Sequence, residues 1–332
     1  MKAILIVWGR ELELSRQYAD SIGAKIIQVY FFGLAKYKIL VPFRYGLQAI
    51  LSWYYLLKES PRVVIVQNPP VFAVLAVYIY CRLFRRLFSL DSHSAAFLDR
   101  KWKIWQPLFK FLSRRAVLNT CHNYRNLEVL KRWGVNSQVL EFKNPCYNNI
   151  NCLSKKNLLA KTRVRKLKVL MVNRFADDDE VELVLETAEL MPEAIFFITG
   201  DMKLRAAKKI IFKAAPNVIF TGYLSHSDFI ALMQECEVVL SLTRRSDTVL
   251  WSVREAIALG RPFVASDTEV LRHYYGSLGS FTKPSPINLK MAILYAMEMK
   301  EKFKKQASIF LAVDNERREQ KIKLIKNTLG LE

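Results

Sequence analysis

The sequence of 332 residues is poor in the side chains that most often build metal sites, with only five cysteines and four histidines. No two cysteines form a Cys-x-x-Cys pair, and none stands in a histidine-rich segment. They are scattered along the chain, at Cys81, Cys121, Cys146, Cys152 and Cys236. This scatter argues against a metal site and predicts reduced thiols in a cytosolic protein.

Long apolar runs are also missing. Met1 to Trp8 is a short apolar strand rather than a charged segment followed by a long apolar one, so we expect no signal peptide. Pro69 to Cys81 is apolar for only 13 residues, and Arg44 and Gln48 interrupt the stretch from Ile39 to Leu57. A bilayer needs about 20 uninterrupted apolar residues, so we predict a monotopic protein rather than a spanning one.

Acidic residues are scarce: 30 Asp and Glu stand against 51 Lys and Arg, a net charge of +21. The excess lies mainly before Ile150, where 22 basic residues face 8 acidic ones, and Tyr30 to Leu57 mixes aromatic with basic side chains. Such a surface suits an anionic bilayer. It also suits nucleic acid, or the solvated face of a core helix. We favour the membrane surface and expect no nucleic acid partner.

The chain alternates between predicted strands and helices. In the first half, strands are predicted at 3–8, 26–30, 62–67, 88–90, 116–119 and 138–141, and helices at 12–22, 72–83, 104–113 and 123–133. Strict alternation predicts a parallel, doubly wound α/β sheet, and the length predicts two domains. We place the first domain at 1–147, a polar and then basic linker at 148–167, the second domain at 168–285, and terminal helices at 286–332.

The segment from Ser241 to Asp267 reads as strand, polar loop, helix, turn and strand. The predicted helix has Val249, Val253, Ile257 and Ala258 at helical spacing and ends at Gly260 and Pro262. Asp247 is predicted to cap its start, where free N–H groups and the helix dipole attract anions. Glu255 is predicted on the same helix face. From spacing alone we favour the purely structural interpretation, in which Asp247 is an N-cap and Glu255 an exposed helical residue.

This segment resembles the nucleotide-sugar site of GT-B glycosyltransferases, particularly the family 4 group. The resemblance rests on Asp247, then Glu255-Ala256, then Gly260-Arg261-Pro262, a short apolar strand and Ala265-Ser266. One departure is that Thr248-Val249-Leu250 replaces the usual Gly-Phe-Gly. The resemblance implies two Rossmann-like domains facing a cleft, a last helix that crosses back to the first domain, retention of anomeric configuration, and no metal.

The resemblance also implies a donor site in the second domain. Glu255 would hold the nucleotide ribose, Asp247 the donor sugar, and Arg174 the diphosphate. The lysine expected after Arg174 is absent, and Arg244 or Arg245 is the candidate replacement. The acidic run that stands there instead, from 177 to 180, suits either a divalent cation or the first turn of a helix; we favour the helix. Further donor positions are Gly200 and Thr248, with the base near Gly222, Tyr223 and Leu224.

The acceptor side is expected in loops that follow strands of the first domain. Gly9 and Arg10 follow the first strand, and Asn68 begins a sharp Asn-Pro-Pro exit that resembles enzymes extending lipid-linked oligosaccharides. Asp91 and His93 form an Asp-x-His segment whose histidine, in the resembling enzymes, lies near the transferred sugar. Imidazole can hydrogen-bond a hydroxyl or act as a base. We therefore take His93, with Asp247 and Glu255, as the catalytic candidates.

Together these features predict a hexosyltransferase. It would take its sugar from a UDP- or GDP-linked donor, without cofactor or metal, and pass it to a glycan or lipid-linked acceptor at the inner face of the membrane. The expected pathway is cell-surface polysaccharide or oligosaccharide-lipid synthesis. Two alternatives remain open: a non-catalytic GT-B scaffold or partner subunit, and a basic nucleic-acid-binding α/β protein.

Overall fold

The computed structural model describes residues 2–9, 13–31, 38–141, 143–147, 167–204, 210–212 and 214–331. The chain forms two compact units, one of Met1–Lys143 with Asn315–Glu332 and one of Asn144–Asp314. The predicted linker lies outside the described residues except for its last residue, and so does Arg10. No helix in the described part of the chain is long and apolar enough to cross a membrane.

The first unit is a six-stranded parallel sheet with helices between the strands. Its strands are β1 (Ala3–Val7), β2 (Lys25–Gln28), β3 (Val63–Asn68), β4 (Leu87–Ser92), β5 (Asn119–Cys121) and β6 (Ser137–Val139). Its helices are α1 (Glu13–Ile22), α2 (Val41–Glu59), α3 (Val71–Leu83), α4 (Ser94–Leu98), α5 (Arg100–Lys103), α6 (Gln106–Ser113) and α7 (Tyr124–Arg132). The strand order is β2-β1-β3-β4-β5-β6.

The apolar strands of this sheet are covered on both faces, which is why they carry uninterrupted apolar runs. Every residue of β1 and β3 is buried. One face packs on α2 and α3. The other packs on α1 and on the last turns of the C-terminal helix, through Ile322, Ile325 and Leu329. Polar residues appear where the strands end, which sets the chemistry at that edge.

The second unit repeats this architecture. Its strands are β7 (Leu167–Met171), β8 (Ala194–Thr199), β9 (Val218–Gly222), β10 (Val238–Ser241), β11 (Phe263–Ser266) and β12 (Ser280–Thr282). Its helices are α8 (Val181–Glu189), α9 (His226–Glu235), α10 (Trp251–Ala258), α11 (Glu269–Tyr275), α12 (Pro286–Glu298) and α13 (Lys300–Leu329), whose residues from Asn315 onward belong to the first unit.

The strand order of the second sheet, β12-β11-β10-β7-β8-β9, reverses between β7 and β10. All its strand pairs are parallel, so the strands end at one edge. Ligands of doubly wound sheets bind outside the carboxyl ends at such a reversal. The loops after β7 and β10 are therefore the place to look for a site.

Candidate functional site

Two arginines meet one carboxylate where the second sheet reverses. Arg174 follows β7, Arg245 follows β10, and these strands are paired neighbours. Arg245 Nε lies 3.3 Å from Asp178 Oδ2, and Arg174 Nη2 lies 4.0 Å from Asp178 Oδ1. The arginine side chains are 75% and 50% exposed, whereas Asp178 is 13% exposed. Two exposed guanidinium groups thus share one shielded carboxylate, and a guanidinium group can bind phosphate oxygens in a bidentate manner.

The acidic run does not cap the following helix, contrary to our sequence-based interpretation. α8 begins at Val181, and Glu180 at its N-cap makes no side-chain cap hydrogen bond. The acids instead shape the loop. Asp179 Oδ2 accepts the backbone N–H groups of Arg174 and Ala176, and Asp178 accepts from Thr243 Oγ1 at 2.9 Å. Asp179 therefore accepts hydrogen bonds from backbone N–H groups of the loop at 174–179, and not from those at the start of α8.

Gly200 supports this loop by its lack of a side chain. Its φ of +125° is open to glycine alone, and an added Cβ would lie 2.8 Å from the Phe175 ring. Phe175 itself has a φ of +56° and is buried. The Phe175 ring therefore packs directly on the Gly200 backbone, and this contact positions the residue next to Arg174.

The predicted base region lies at the end of β9. The Gly222 carbonyl oxygen accepts the Gly200 N–H at 3.3 Å. Tyr223 is 84% exposed, whereas Leu224 is buried in the core of the unit. Of the predicted base-contacting residues, the structure leaves Tyr223 available for stacking on a ring and removes the Leu224 side chain from such a role.

Asp247 does not cap α10, which begins four residues later at Trp251 with Leu250 at its N-cap. Asp247 lies in a turn, and Thr248, Val249 and Leu250 form an irregular entry to the helix. Val249 has helical spacing to Val253 and for that reason was assigned to the helix. The end of the helix was predicted correctly, since Gly260 follows Leu259 with a φ of +63°. The helix start with its free N–H groups therefore lies at Trp251 and not beside Asp247.

Glu255 is buried rather than exposed, with 4% of its surface accessible. Burial raises its pKa to about 7, against the opposing effect of hydrogen bonds from Trp251 and Tyr147. The Tyr147 hydroxyl donates to Glu255 Oε1 at 3.2 Å. Tyr147 was not among the predicted site residues, because nothing in its local sequence marks it. A buried carboxylate held by hydroxyl and indole donors can exchange those donors for ligand hydroxyls.

A second polar group lies at the carboxyl end of the first sheet. His93 Nε2 is 3.2 Å from Asp91 Oδ2, and Ser15 Oγ is 3.2 Å from both atoms. Asp91 is fully buried, whereas His93 retains 12% side-chain exposure. Burial alone would raise the pKa of Asp91, but its two histidine neighbours lower it below its usual value. Burial lowers the pKa of His93, and Asp91 only partly offsets that effect.

The other histidine at Asp91 is His122, which sequence reasoning missed. His122 Nε2 lies 2.9 Å from Asp91 Oδ1, and the two imidazole rings are 4.6 Å apart. Burial would lower the pKa of His122, but Asp91 outweighs it and raises the pKa. His122 directly follows β5 as His93 follows β4, and these strands pair. A polar residue just past each of two neighbouring strands was the signal available in the sequence.

The remaining predicted acceptor residues differ in their placement. Asn68 is buried and its carbonyl oxygen accepts the His93 N–H at 2.8 Å, so it belongs to the His93 group. The Gly9 carbonyl oxygen accepts from Gln28 Nε2 at 2.8 Å, at the neighbouring end of β1. An added Cβ at Gly9 would meet nothing within 4 Å, so no close contact requires a glycine there.

Comparisons with known proteins agree with this architecture. Residues 155–309 match the family model of glycosyl transferases group 1. Sucrose-phosphate synthase from Thermosynechococcus elongatus superposes with a TM-score of 0.72 at 11% identity, covering 99% of each chain. Anabaena Alr3699/HepE in complex with UDP-glucose gives 0.72 at 15% identity, covering 99% of this chain and all of that one. None of the curated proteins matches the chain by sequence.

A further structural neighbour is the lipopolysaccharide outer core galactosyltransferase WaaB, with a TM-score of 0.65 at 13% identity, covering 97% of this chain and all of that one. Two parallel six-stranded doubly wound sheets, which superpose on these structures over nearly the whole chain, give the chain the GT-B fold. The match to the family model of glycosyl transferases group 1 lies within the second unit.

Proposed function

We propose that the chain transfers a hexose, with retention of configuration, from a nucleoside-diphosphate sugar to a glycan or lipid-linked acceptor at a membrane surface. The observation that carries the donor assignment is the pair Arg174 and Arg245, held by Asp178 at the reversal of the second sheet. Arg245 supplies the second cation that the lysine-free run after Arg174 lacks. UDP is the favoured carrier, because the similar HepE binds UDP-glucose.

The reaction breaks the bond between the anomeric carbon and the diphosphate and the O–H bond of the acceptor. The acceptor oxygen bonds to the anomeric carbon, and its proton leaves with the diphosphate. Negative charge grows on the leaving diphosphate while the sugar becomes oxocarbenium-like. Arg174 and Arg245 would neutralise the diphosphate, so that donor binding would not need a metal ion. Glu255 would accept the ribose hydroxyls in place of Tyr147, Asp247 would contact the donor sugar, and His93 would hydrogen-bond the sugar or the acceptor.

The membrane part of the proposal rests on α2. Its inner face is pinned by Gln48, Ser52 and Leu56, the last two accepting hydrogen bonds from Trp8 and Tyr80. Its outer face leaves large apolar side chains exposed, at Phe43, Ile50, Tyr54 and Leu57. At the end of α3, Leu83 and Phe84 are also exposed, beside Arg82 and Arg85. Exposed apolar groups within a basic surface suit an anionic bilayer interface.

The direct test is donor binding. Thermal-shift titration of the purified chain with UDP, GDP and ADP should show a selective stabilisation by one of them. Arg174→Ala and Arg245→Ala should each weaken its binding by about ten- to a hundredfold, as loss of a charged hydrogen bond predicts. Lys302→Ala removes an exposed charge elsewhere in the same unit and should bind normally. A folded protein that binds none of the three nucleotides would contradict the proposal.

A further inference from the structure

The Asp91, His93 and His122 side chains form a cluster of metal-ligand type in the first unit. We propose that these three residues bind one divalent transition-metal ion, with Zn²⁺ as the best-fitting ion. The proposal does not rest on the proposed donor site, which lies in the other unit, and it assigns His93 Nε2 to the metal in place of the sugar or acceptor contact proposed above. The cysteine pattern predicted no metal site, but this cluster contains no cysteine.

The three side chains offer their ligand atoms at suitable separations. The Asp91 carboxylate lies between the imidazoles, 3.2 Å from His93 Nε2 and 2.9 Å from His122 Nε2. All the candidate ligand atoms lie within 4.8 Å of one another. Zinc bonds of about 2.0–2.2 Å at tetrahedral angles place adjacent ligand atoms about 3.3–3.6 Å apart. Small side-chain rotations therefore suffice to close the site around an ion.

The tautomer of His122 points to a ligand at its other nitrogen. His122 Nδ1 lies 2.9 Å from the Leu140 carbonyl oxygen, which can only accept, so Nδ1 carries the hydrogen. Nε2 faces an Asp91 carboxylate oxygen at 2.9 Å, so a positive charge, either a proton on the ring or a metal ion, must stand between the two atoms. Within the described part of the chain, this buried nitrogen has no partner with hydrogen-bond geometry. A metal ion bound by Nε2 and the carboxylate would take the place of the proton.

The surroundings match those of a bound metal. Ligating histidines usually donate their second ring nitrogen to a backbone carbonyl, as His122 does, and ligating carboxylates are themselves hydrogen-bonded. Asp91 accepts from Thr120 Oγ1 at 3.3 Å and from Ser15 Oγ at 3.2 Å. Two imidazoles and one carboxylate favour zinc-like ions over Mg²⁺ or Ca²⁺, which prefer oxygen ligands. The partial exposure of His93 leaves room for a fourth, non-protein ligand.

The experiment uses the whole chain, purified without a metal-affinity tag and treated with a chelator. Titration with ZnCl₂ alone, followed by calorimetry and by metal analysis after gel filtration, should give one zinc ion per chain. Replacement by Co²⁺ should give the visible absorption bands of a low-symmetry nitrogen and oxygen site. These measurements do not depend on transferase activity or on nucleotide binding.

The chain supplies its own matched variants, because two of its four histidines lie outside the cluster. His122→Gln should lower zinc affinity by at least about a hundredfold, and His273→Gln, an exposed change in the other unit, should leave it unchanged. If His122→Gln fails to fold, the more exposed His93→Gln takes its place. A folded wild-type chain without stoichiometric zinc would overturn the proposal, as would equal binding by wild type and His93→Gln.

Discussion

Ionisation of the Glu255 carboxyl group destabilises the folded state. Its side chain lies on α10 with 4% exposure, close to Tyr147 and Trp251. No cation accompanies it in the contacts that set its pKa, so burial dominates and raises the pKa to about 7. A ligand that brings hydroxyl donors would repay this cost. Relief of the desolvation cost at Glu255 would thus contribute to the proposed affinity for a ribose.

This pKa makes stability depend on pH in a defined direction. Since the folded pKa of Glu255 lies near 7 and its ordinary value is 4.5, the folded state binds the proton more tightly. The contribution of this residue is complete below pH 4.5 and is lost as pH rises to about 7. Glu255→Gln should therefore gain stability relative to wild type across that window, by up to about 3 kcal/mol. Urea unfolding at pH 5 and pH 8 measures this, and a gain independent of pH would contradict it.

Gly200 gives a second prediction at the residue scale. Gly200→Ala should destabilise the second unit by about 1–3 kcal/mol, because its Cβ meets the Phe175 ring and its φ is left-handed. Displacement of Phe175 should also weaken nucleotide binding through Arg174. The control is Gly46→Ala inside α2, where an added Cβ meets nothing within 4 Å, and which should stabilise by about 0.5–1 kcal/mol. Thermal unfolding with and without nucleotide compares the two variants.

At the scale of elements, α2 is a helix with one face committed to the core and the other left apolar. Ile50 is 70% exposed and Phe43 60% exposed. The buried positions 48, 52 and 56 repeat every four residues, and the exposed apolar positions 43, 50, 54 and 57 occupy the opposite side. Under the proposed function, this outer face would gain free energy by burial against lipid.

We predict that Ile50→Asp weakens binding to vesicles that contain anionic lipid by about tenfold or more, because it places a charge on the side of α2 proposed to contact lipid. The matched control is Ile287→Asp, a change at a residue of 67% exposure in the second unit, which should bind like wild type. Flotation at low and high salt measures both variants. Failure of the wild-type chain to float at low salt would refute the membrane assignment while leaving the donor site untouched.

The elements themselves were largely predictable, whereas the placement of the acids was not. Continuous apolar runs such as Val63 to Val66 require burial on both faces and so predict parallel strands. The start of α10 was wrong because apolar spacing cannot distinguish an irregular entry from a first turn. The assignment of the acidic run to helix capping was also wrong. The hydrogen bonds that Asp179 accepts from its own loop depend on the backbone path after β7. The local sequence alone does not determine that backbone path.

At the scale of the whole molecule, a single buried arginine ties together the two ends of the second unit. This unit begins at Asn144 and ends at Asp314. Arg254 Nη1 donates to Asn144 Oδ1 at 2.7 Å and to Asp314 Oδ2 at 2.8 Å. Arg254 Nε also donates to the Tyr275 hydroxyl at 3.1 Å. Arg254 has no accessible surface and precedes Glu255 in α10, so both ends of the second unit are anchored to this helix.

This arrangement predicts how the second unit responds when the pair is broken. Arg254→Ala leaves Asp314 buried without its cation and should destabilise the unit by about 3–5 kcal/mol. The double variant Arg254→Met with Asp314→Leu removes both charges and keeps most of the volume, so it should recover a large part of that loss. Arg272→Ala, which breaks an exposed ion pair with Asp267 in the same unit, should cost only about 0–1 kcal/mol. Urea unfolding followed by far-UV circular dichroism measures all three. Equal destabilisation by the single and double variants would show that the guanidinium acts by its shape rather than by its charge.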